Sequence, residues 1–179
     1  KGKEVAIIDK ITNRDLIDQQ ALFQNVQHFY MDMSDPELME KALLPDDIVI
    51  HLAAQSHVDV SFKNPVQTTV SNVVGIHSLL AACVKKGVKK IVIMSTDEVY
   101  GSTEQIVDVN LLNPANPYSA SKAAADMIVT AYKTMHPEII ITTLRSNNIA
   151  GPGQFINNII PRFSVLGLLK KKFTLHGDG

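Results

Sequence analysis

The chain has 179 residues, of which 45% are hydrophobic and 20% charged, with a net charge of −1. That is enough for one domain with a sizeable core, and the even charge balance excludes a basic field for nucleic acid. A single cysteine, Cys83, excludes an intrachain disulfide, and no apolar run approaches the roughly 18 residues of a bilayer span.

In chain order, Val5-Ala6-Ile7-Ile8 reads as a short buried strand ending at Asp9, and Val26 to Met31 as a second one closing at Asp32. A helix is expected from Asp35-Pro36 to about Leu44, with Pro36 suited to the first helical position. Ile48 to Leu52 is a third strand and Pro65 to Lys86 a long helix. Lys85-Lys86 and Gly87 predict cations in its last turn followed by a glycine cap. Cys83 falls within that apolar stretch, so a buried structural role is expected of it. Lys90 to Met94 is a fourth strand, and Asn116 to His136 a second long helix capped by Asn116. Ile139 to Leu144 is a fifth strand. Phe155 to Lys170 reads as a helix interrupted at Pro161 and Gly167, with Lys170-Lys171-Lys172 as a solvated end. Phe173 to His176 is a candidate last strand.

Apolar strands alternating with helices predict an α/β fold, a Rossmann-like parallel sheet with helices on both faces. Such sheets bind ligands beyond the carboxyl ends of their strands. Asp9, Asp32, the Ala53–Ser56 loop and Thr96-Asp97-Glu98 all follow strands at that edge. The glycine-rich turn that holds a pyrophosphate at a helix N-terminus is not seen; Gly2 stands alone before the first visible strand. The chain therefore reads as an internal piece of a longer protein, lacking the first strand and that turn. On its own it is expected to be poorly stable, because a missing central strand removes buried aliphatic side chains worth roughly 1.5–3 kcal/mol each.

Two motifs carry the chemistry. Ser95-Thr96-Asp97-Glu98-Val99-Tyr100-Gly101 follows the fourth strand, and Tyr118-Ser119-Ala120-Ser121-Lys122 opens a helix. Tyrosine and lysine four apart share one helix face. The ammonium is expected to lower the phenol below its ordinary pKa of about 10, giving a usable general base. The adjacent acids add a proton donor and acceptor. Together these residues point to proton and hydride chemistry on a sugar-like substrate. His51, His57 and His77 offer no convergent ligand set and no cysteine cluster, so no metal site is expected.

With Ile8-Asp9-Lys10, His51-Leu52-Ala53-Ala54, Ser56-His57-Val58-Asp59, Ser71-Asn72-Val73-Val74-Gly75, Asn147-Asn148, Gly151-Pro152 and His176-Gly177-Asp178-Gly179, these motifs resemble the extended short-chain dehydrogenase/reductases. Within them they resemble the nucleoside-diphosphate-glucose 4,6-dehydratases, over nearly the whole chain. The resemblance implies NAD as cofactor and a nucleotide-sugar substrate, dTDP-glucose ahead of UDP-glucose. It also implies a homodimer of the full-length chain, while the lone cysteine and the lack of a visible span or signal peptide lead to the expectation of a soluble, cytoplasmic protein. Residues 1–154 would be a partial NAD-binding domain, and 155–179 the start of a truncated substrate-binding region.

The resemblance also implies residue roles. Tyr118 takes the proton of the sugar 4-hydroxyl, Thr96 bonds that oxygen, and Lys122 holds the nicotinamide ribose. Glu98 removes the C5 proton, and Asp97, carrying a proton, gives it to the departing 6-hydroxyl. Asp9 and Lys10 match the adenosine ribose position, Asp32 and Met33 the adenine contact. Leu52, Ala53 and Ala54 allow close cofactor approach. Ser71 and Asn148 also match cofactor positions, while Ser56 and Asn147 match substrate positions. The family's lysine after the Gly-Pro turn is Asn158 here, Val60 replaces an arginine, Gln55 a glutamate and Ile149 a tyrosine. These changes touch nucleotide affinity and leave the chemical set intact. The alternatives are a sibling epimerase or decarboxylase, against which Asp97 speaks, and a non-catalytic sugar-nucleotide-binding remnant.

Overall fold

The computed structural model describes residues 4–10, 26–102, 108, 111–154, 156 and 158–174. Two compact units divide the chain, Lys1–Ser146 and Asn147–Gly179.

In the first unit, β1 (Ala6–Asp9) pairs in parallel with β2 (Gln27–Tyr30). A second parallel sheet runs β3 (Ile48–His51), β4 (Lys90–Thr96), β5 (Ile140–Ser146) in that order. All pairings among the described strands are parallel, as expected of continuously apolar strands separated by helices. The connecting helices are α1 (Pro36–Ala42), α2 (Val58–Lys63), α3 (Pro65–Thr69), α4 (Gly75–Lys86) and α5 (Pro117–Met135).

Side chains alternate along β4, so Ile91 and Ile93 face one way and Val92 and Met94 the other. Ile91 and Ile93 join Met39 of α1 and Leu43 just past its end, Ile76, Leu79, Leu80 and Cys83 of α4, and Ala125 and Val129 of α5 in one core. Burial pushes the Cys83 thiol up to about 12, helped by the charge of Asp47, which suits packing and not nucleophilic attack. The opposite face of this sheet is open among the described residues, with Ile48, Ile50, Ile140 and Leu144 exposed. Helices of the described chain thus cover one face.

Local signals acted as expected at the helix ends. Asp35 caps α1 through its carboxylate, with Pro36 at the first helical position. Gly87 ends α4 in the left-handed region, φ 78°, and Val88 N–H closes back on the Cys83 carbonyl at 2.9 Å.

Two features differ from the sequence expectation. The stretch Pro65–Lys86 is not one regular helix: a π-helical segment, Val70–Val74, joins α3 to α4. Its extra residue turns Asn72 inward, where the buried side chain bonds both backbone groups of Gln55. Helix α2 was not expected at all. It has only six residues, two of them β-branched valines, and its buried face is Ser61 rather than an apolar stripe.

In the second unit, α6 (Ile159–Leu168) runs through both Pro161 and Gly167, so neither interrupts it. Pro161 lies in the first turn, where its missing N–H has no intrahelical acceptor to lose. Lys170 to Lys172 are exposed past its end. Phe173 and Thr174 join no strand; His176 and the turn through Gly179 lie outside the described residues.

Candidate active site

The site grows from the carboxyl end of β4. Thr96 leaves the strand extended, and its hydroxyl accepts from Glu98 N–H at 3.3 Å, capping a single 3-10 turn, Asp97–Tyr100. Gly101 ends that turn at φ 72°, and a Cβ there would lie 2.3 Å from the Asn113 carbonyl oxygen. Only glycine permits this return of the chain, which Asn113 N–H seals on the Val99 carbonyl at 2.9 Å.

The returning segment delivers Asn116, the cap of α5. Its side chain accepts from Ser119 N–H at 2.8 Å, while Ser119 Oγ accepts from Asn116 N–H at 3.1 Å, a reciprocal capping box. Asn116 Nδ2 also donates to Glu98 Oε2 at 3.2 Å. The acid of the β4 turn is thereby tied to the start of the helix that bears Tyr118.

Tyr118 is held from three sides. Its backbone N–H donates to Ser61 Oγ of α2 at 3.2 Å. Its carbonyl accepts from Ser121 Oγ at 2.7 Å, and Ser121 Oγ in turn accepts from Asn72 Nδ2 at 2.9 Å. Its phenol hydrogen-bonds Thr96. Thr96, which also donates to Asp97 Oδ1 at 3.3 Å, and Glu98, tied through Asn116 to the start of α5, thus lie by Tyr118.

The electrostatics depart from expectation. The phenol of Tyr118 is pushed above its ordinary pKa, first by burial and next by the Glu98 charge, against the weaker opposing effect of the Thr96 hydrogen bond. Lys122 does not lower it in this state. The ammonium, 4% exposed, donates to the Met94 carbonyl at 2.7 Å. Burial lowers the Lys122 pKa, and Asp126 works against that fall. The tyrosine–lysine spacing was legible in the sequence; the dry surroundings that dominate both groups were not.

The remaining expected residues fall in separate places. Asp9 and Lys10 are exposed at the end of β1, and Met31 N–H donates to the Asp9 carbonyl at 3.2 Å. Asp32, beyond β2, accepts from Lys10 and from Ser34 N–H and Oγ at 2.9 and 2.8 Å. The Lys10 hydrogen bond first, then the Ser34 N–H, hold its carboxyl down at about 2. Met33 turns into the core, where a Cβ on Gly75 would come 2.7 Å from its Cε. Leu52, Ala53, Ala54 and Ser56 line an exposed loop after β3, anchored through Gln55 to Asn72. Ser71 is half-buried on the π segment. Asn147 and Asn148 open the second unit, exposed, with Asn148 N–H donating to Asn147 Oδ1 at 2.6 Å.

Sequence reasoning missed Ser61, the Asn116–Glu98 bond, and a trio in which half-buried Arg145 joins Tyr100 to buried Asp126. It named His51 but missed its burial, with both ring nitrogens lacking a hydrogen-bond partner among the described residues. No periodicity or short motif signals contacts between residues so far apart in the chain.

A parallel α/β sheet with a tyrosine–lysine helix and an acid pair beyond the carboxyl end of its β4 strand is a Rossmann-type arrangement, in which ligands bind at that edge. The family model described as GDP-mannose 4,6 dehydratase matches residues 1–179, and the chain belongs to that family. It is 39% identical to the dTDP-D-glucose 4,6-dehydratase of Dictyostelium discoideum, covering 100% of this chain and 45% of that protein. DesIV, a dTDP-glucose 4,6-dehydratase from Streptomyces venezuelae solved with NAD and TYD bound, superposes with a TM-score of 0.87 at 34% identity. That match covers 98% of this chain and 56% of DesIV. The UDP-glucose 4-epimerase of Thermotoga maritima, solved with UDP-glucose, superposes with a TM-score of 0.88 at 26% identity, over 99% of this chain and 59% of the epimerase. The chain thus spans about half the length of these relatives.

Proposed function

We propose that the protein is an NAD-dependent nucleoside-diphosphate-glucose 4,6-dehydratase, converting its substrate to the 4-keto-6-deoxy sugar. The observation that carries the reading is the gathering of Thr96, Asp97 and Glu98 around the Tyr118 phenol. A 4-epimerisation needs an acid–base group at C4 alone. Dehydration also needs a base at C5 and an acid at the C6 hydroxyl, and the paired carboxylates fill those two roles.

The donor set suits a nicotinamide dinucleotide. Asp9 presents an exposed carboxylate able to accept from a ribose diol, Leu52-Ala53-Ala54 offers a small-residue approach, and Lys122 supplies a buried cation. Bound there, the cofactor would take a hydride from C4 and return it to C6. Tyr118 would remove the 4-hydroxyl proton while Thr96 holds the same oxygen. Formation of the 4-ketone acidifies C5–H, which Glu98, aimed by Asn116, would abstract. Asp97 would deliver a proton to the leaving 6-hydroxyl, releasing water. Each positioned acid or base contributes about 10²–10⁴-fold.

In this reading residues 1–154 form part of the cofactor-binding domain, and 155–179 begin the region that grips the sugar nucleotide; Ser56, Asn147 and Asn148 would face the ligands. The full-length protein would work as a homodimer. Similarity to two proteins named dTDP-glucose 4,6-dehydratase supports dTDP-glucose as the substrate here. The epimerase superposition keeps a second reading, 4-epimerisation, in play. Incubating the full-length protein with dTDP-glucose or UDP-glucose and NAD separates the two. A 4-keto-6-deoxy product supports the proposal, and a galactose epimer overturns it.

A further inference from the structure

Behind Tyr118 and Lys122, α5 carries a third polar side chain at the same spacing, Asp126. Side chains four apart stack along one helix face, so the three form a column. Asp126 is 4% exposed, as is Lys122. A carboxylate this dry is costly unless a partner holds it. Arg145 of β5 does so, donating from Nε to Asp126 Oδ2 at 2.8 Å. Arg145 Nη1 donates in turn to the Tyr100 hydroxyl at 2.7 Å, and the guanidinium carbon lies 5.2 Å from the Tyr100 ring centre. The carboxylate is thus clamped at one oxygen by Arg145 of β5, itself held by Tyr100, and its second oxygen, Oδ1, has no hydrogen-bond partner among the described residues.

We propose that Asp126, fixed by Arg145 and Tyr100, is a positioning residue that supplies the negative charge keeping Lys122 an ammonium ion in the dry interior. The inference rests on the dehydratase reading for what Lys122 does, though not for its charge.

The titratable and charged groups around Lys122 come from several elements. His51 of β3 is held neutral at about 4 by burial and by the Lys122 charge itself. Asp97 and Glu98, from the turn after β4, act on Tyr118 at the far end of the column. Arg145 of β5 adds a second cation. The hydrogen bond of Lys122 to the Met94 carbonyl engages a dipole, not a charge. Burial favours a neutral lysine amine. Asp126 is the acid that opposes this, and the Arg145 clamp holds its carboxylate in place.

The test is a titration of Lys122 by NMR in full-length protein carrying ¹³C-lysine, with Lys122→Met to assign the signal. Wild-type Lys122 is expected to stay charged through neutral pH. In Asp126→Asn its midpoint should fall by about one pH unit or more, about tenfold in proton affinity, and Asp126→Glu should restore it. The basic limb of kcat/KM should move to lower pH in the same variant. A wild-type Lys122 that is neutral at neutral pH, or an unchanged midpoint in Asp126→Asn, overturns the proposal. If Asp126→Asn does not fold, Asp126→Ser gives the same comparison, and the wild-type titration still decides. The midpoint needs no substrate. A wild-type protein that yields no 4-keto-6-deoxy sugar therefore removes the dehydratase reading without touching the charge relation.

Discussion

Asn116 caps helix α5 with one atom of its amide and holds the Glu98 carboxylate with the other, Nδ2 to Oε2 at 3.2 Å. Helix stability and the aim of a reacting group thus share one side chain. The two roles come apart on substitution. Asn116→Asp retains a good capping acceptor but sets a carboxylate against Glu98. We expect stability within about 1 kcal/mol of wild type. Elimination should nevertheless slow by about 10²-fold, the lower end of what a placed base contributes. Urea unfolding alongside single-turnover product formation checks both halves; an unimpaired elimination rate counts against the assigned role of Glu98.

Asp97→Asn should spare oxidation at C4 and stall loss of the 6-hydroxyl. Cofactor reduction on mixing with substrate would persist, while 4-keto-6-deoxy product falls by about 10²–10⁴-fold. Stopped-flow absorbance of the reduced cofactor, read beside product analysis, makes the distinction. Dehydration at the wild-type rate contradicts the role given to Asp97.

Gly101→Ala places a methyl 2.3 Å from the Asn113 carbonyl oxygen at φ 72°. The turn that returns the chain to Asn116 must shift, at a cost on the order of 1–3 kcal/mol for the backbone conformation alone. Gly153, also at positive φ but with nothing within 4 Å of an added Cβ, is the control. Thermal unfolding of the two alanine variants should show the larger loss at Gly101, with activity falling in that variant. Equal losses would mean that the close approach to Asn113 contributes nothing.

His51 gives the fold an acid weakness. Its pKa sits at about 4, held down first by burial and then by the Lys122 charge. An unfolded histidine titrates near 6.5, so between those values the unfolded chain binds the extra proton. The stability tied to neutral His51 is full above about pH 6.5 and falls as pH drops toward 4, by about 3 kcal/mol in all. Asp32, held at about 2, titrates below this window. His51→Phe also replaces two buried unpartnered ring nitrogens, so it should flatten the acid slope at little cost near neutrality. Denaturant unfolding on either side of the window measures this; an identical slope in both proteins refutes the burial account.

Much of the fold was legible because local signals and packing agreed. The five strands, the Asn116 cap and the Gly87 terminus each follow from apolar runs and end residues that tertiary contacts reinforce. Helix α2 escaped because a six-residue helix with a buried serine carries no periodic apolar stripe. The π segment escaped because its cause lies in Gln55, distant in sequence from Asn72. At the site, the residue types were legible and their charge states were not. Tyrosine and lysine four apart suggested an activated phenol. Yet burial and Glu98 raise the phenol, and the ammonium bonds Met94. Dielectric surroundings belong to the assembled fold, and no motif writes them.

In the proposed reaction, C4 gives its hydride to bound NAD, the side chains move the protons and release water across C5 and C6, and the same hydride returns to C6 within a single turnover. The most direct test uses dTDP-glucose deuterated at C4 with the full-length protein. The expected 4-keto-6-deoxy product carries the C4 deuterium at C6. A product that keeps its 6-hydroxyl, with deuterium still at C4 of the epimerised sugar, would contradict the proposed reaction.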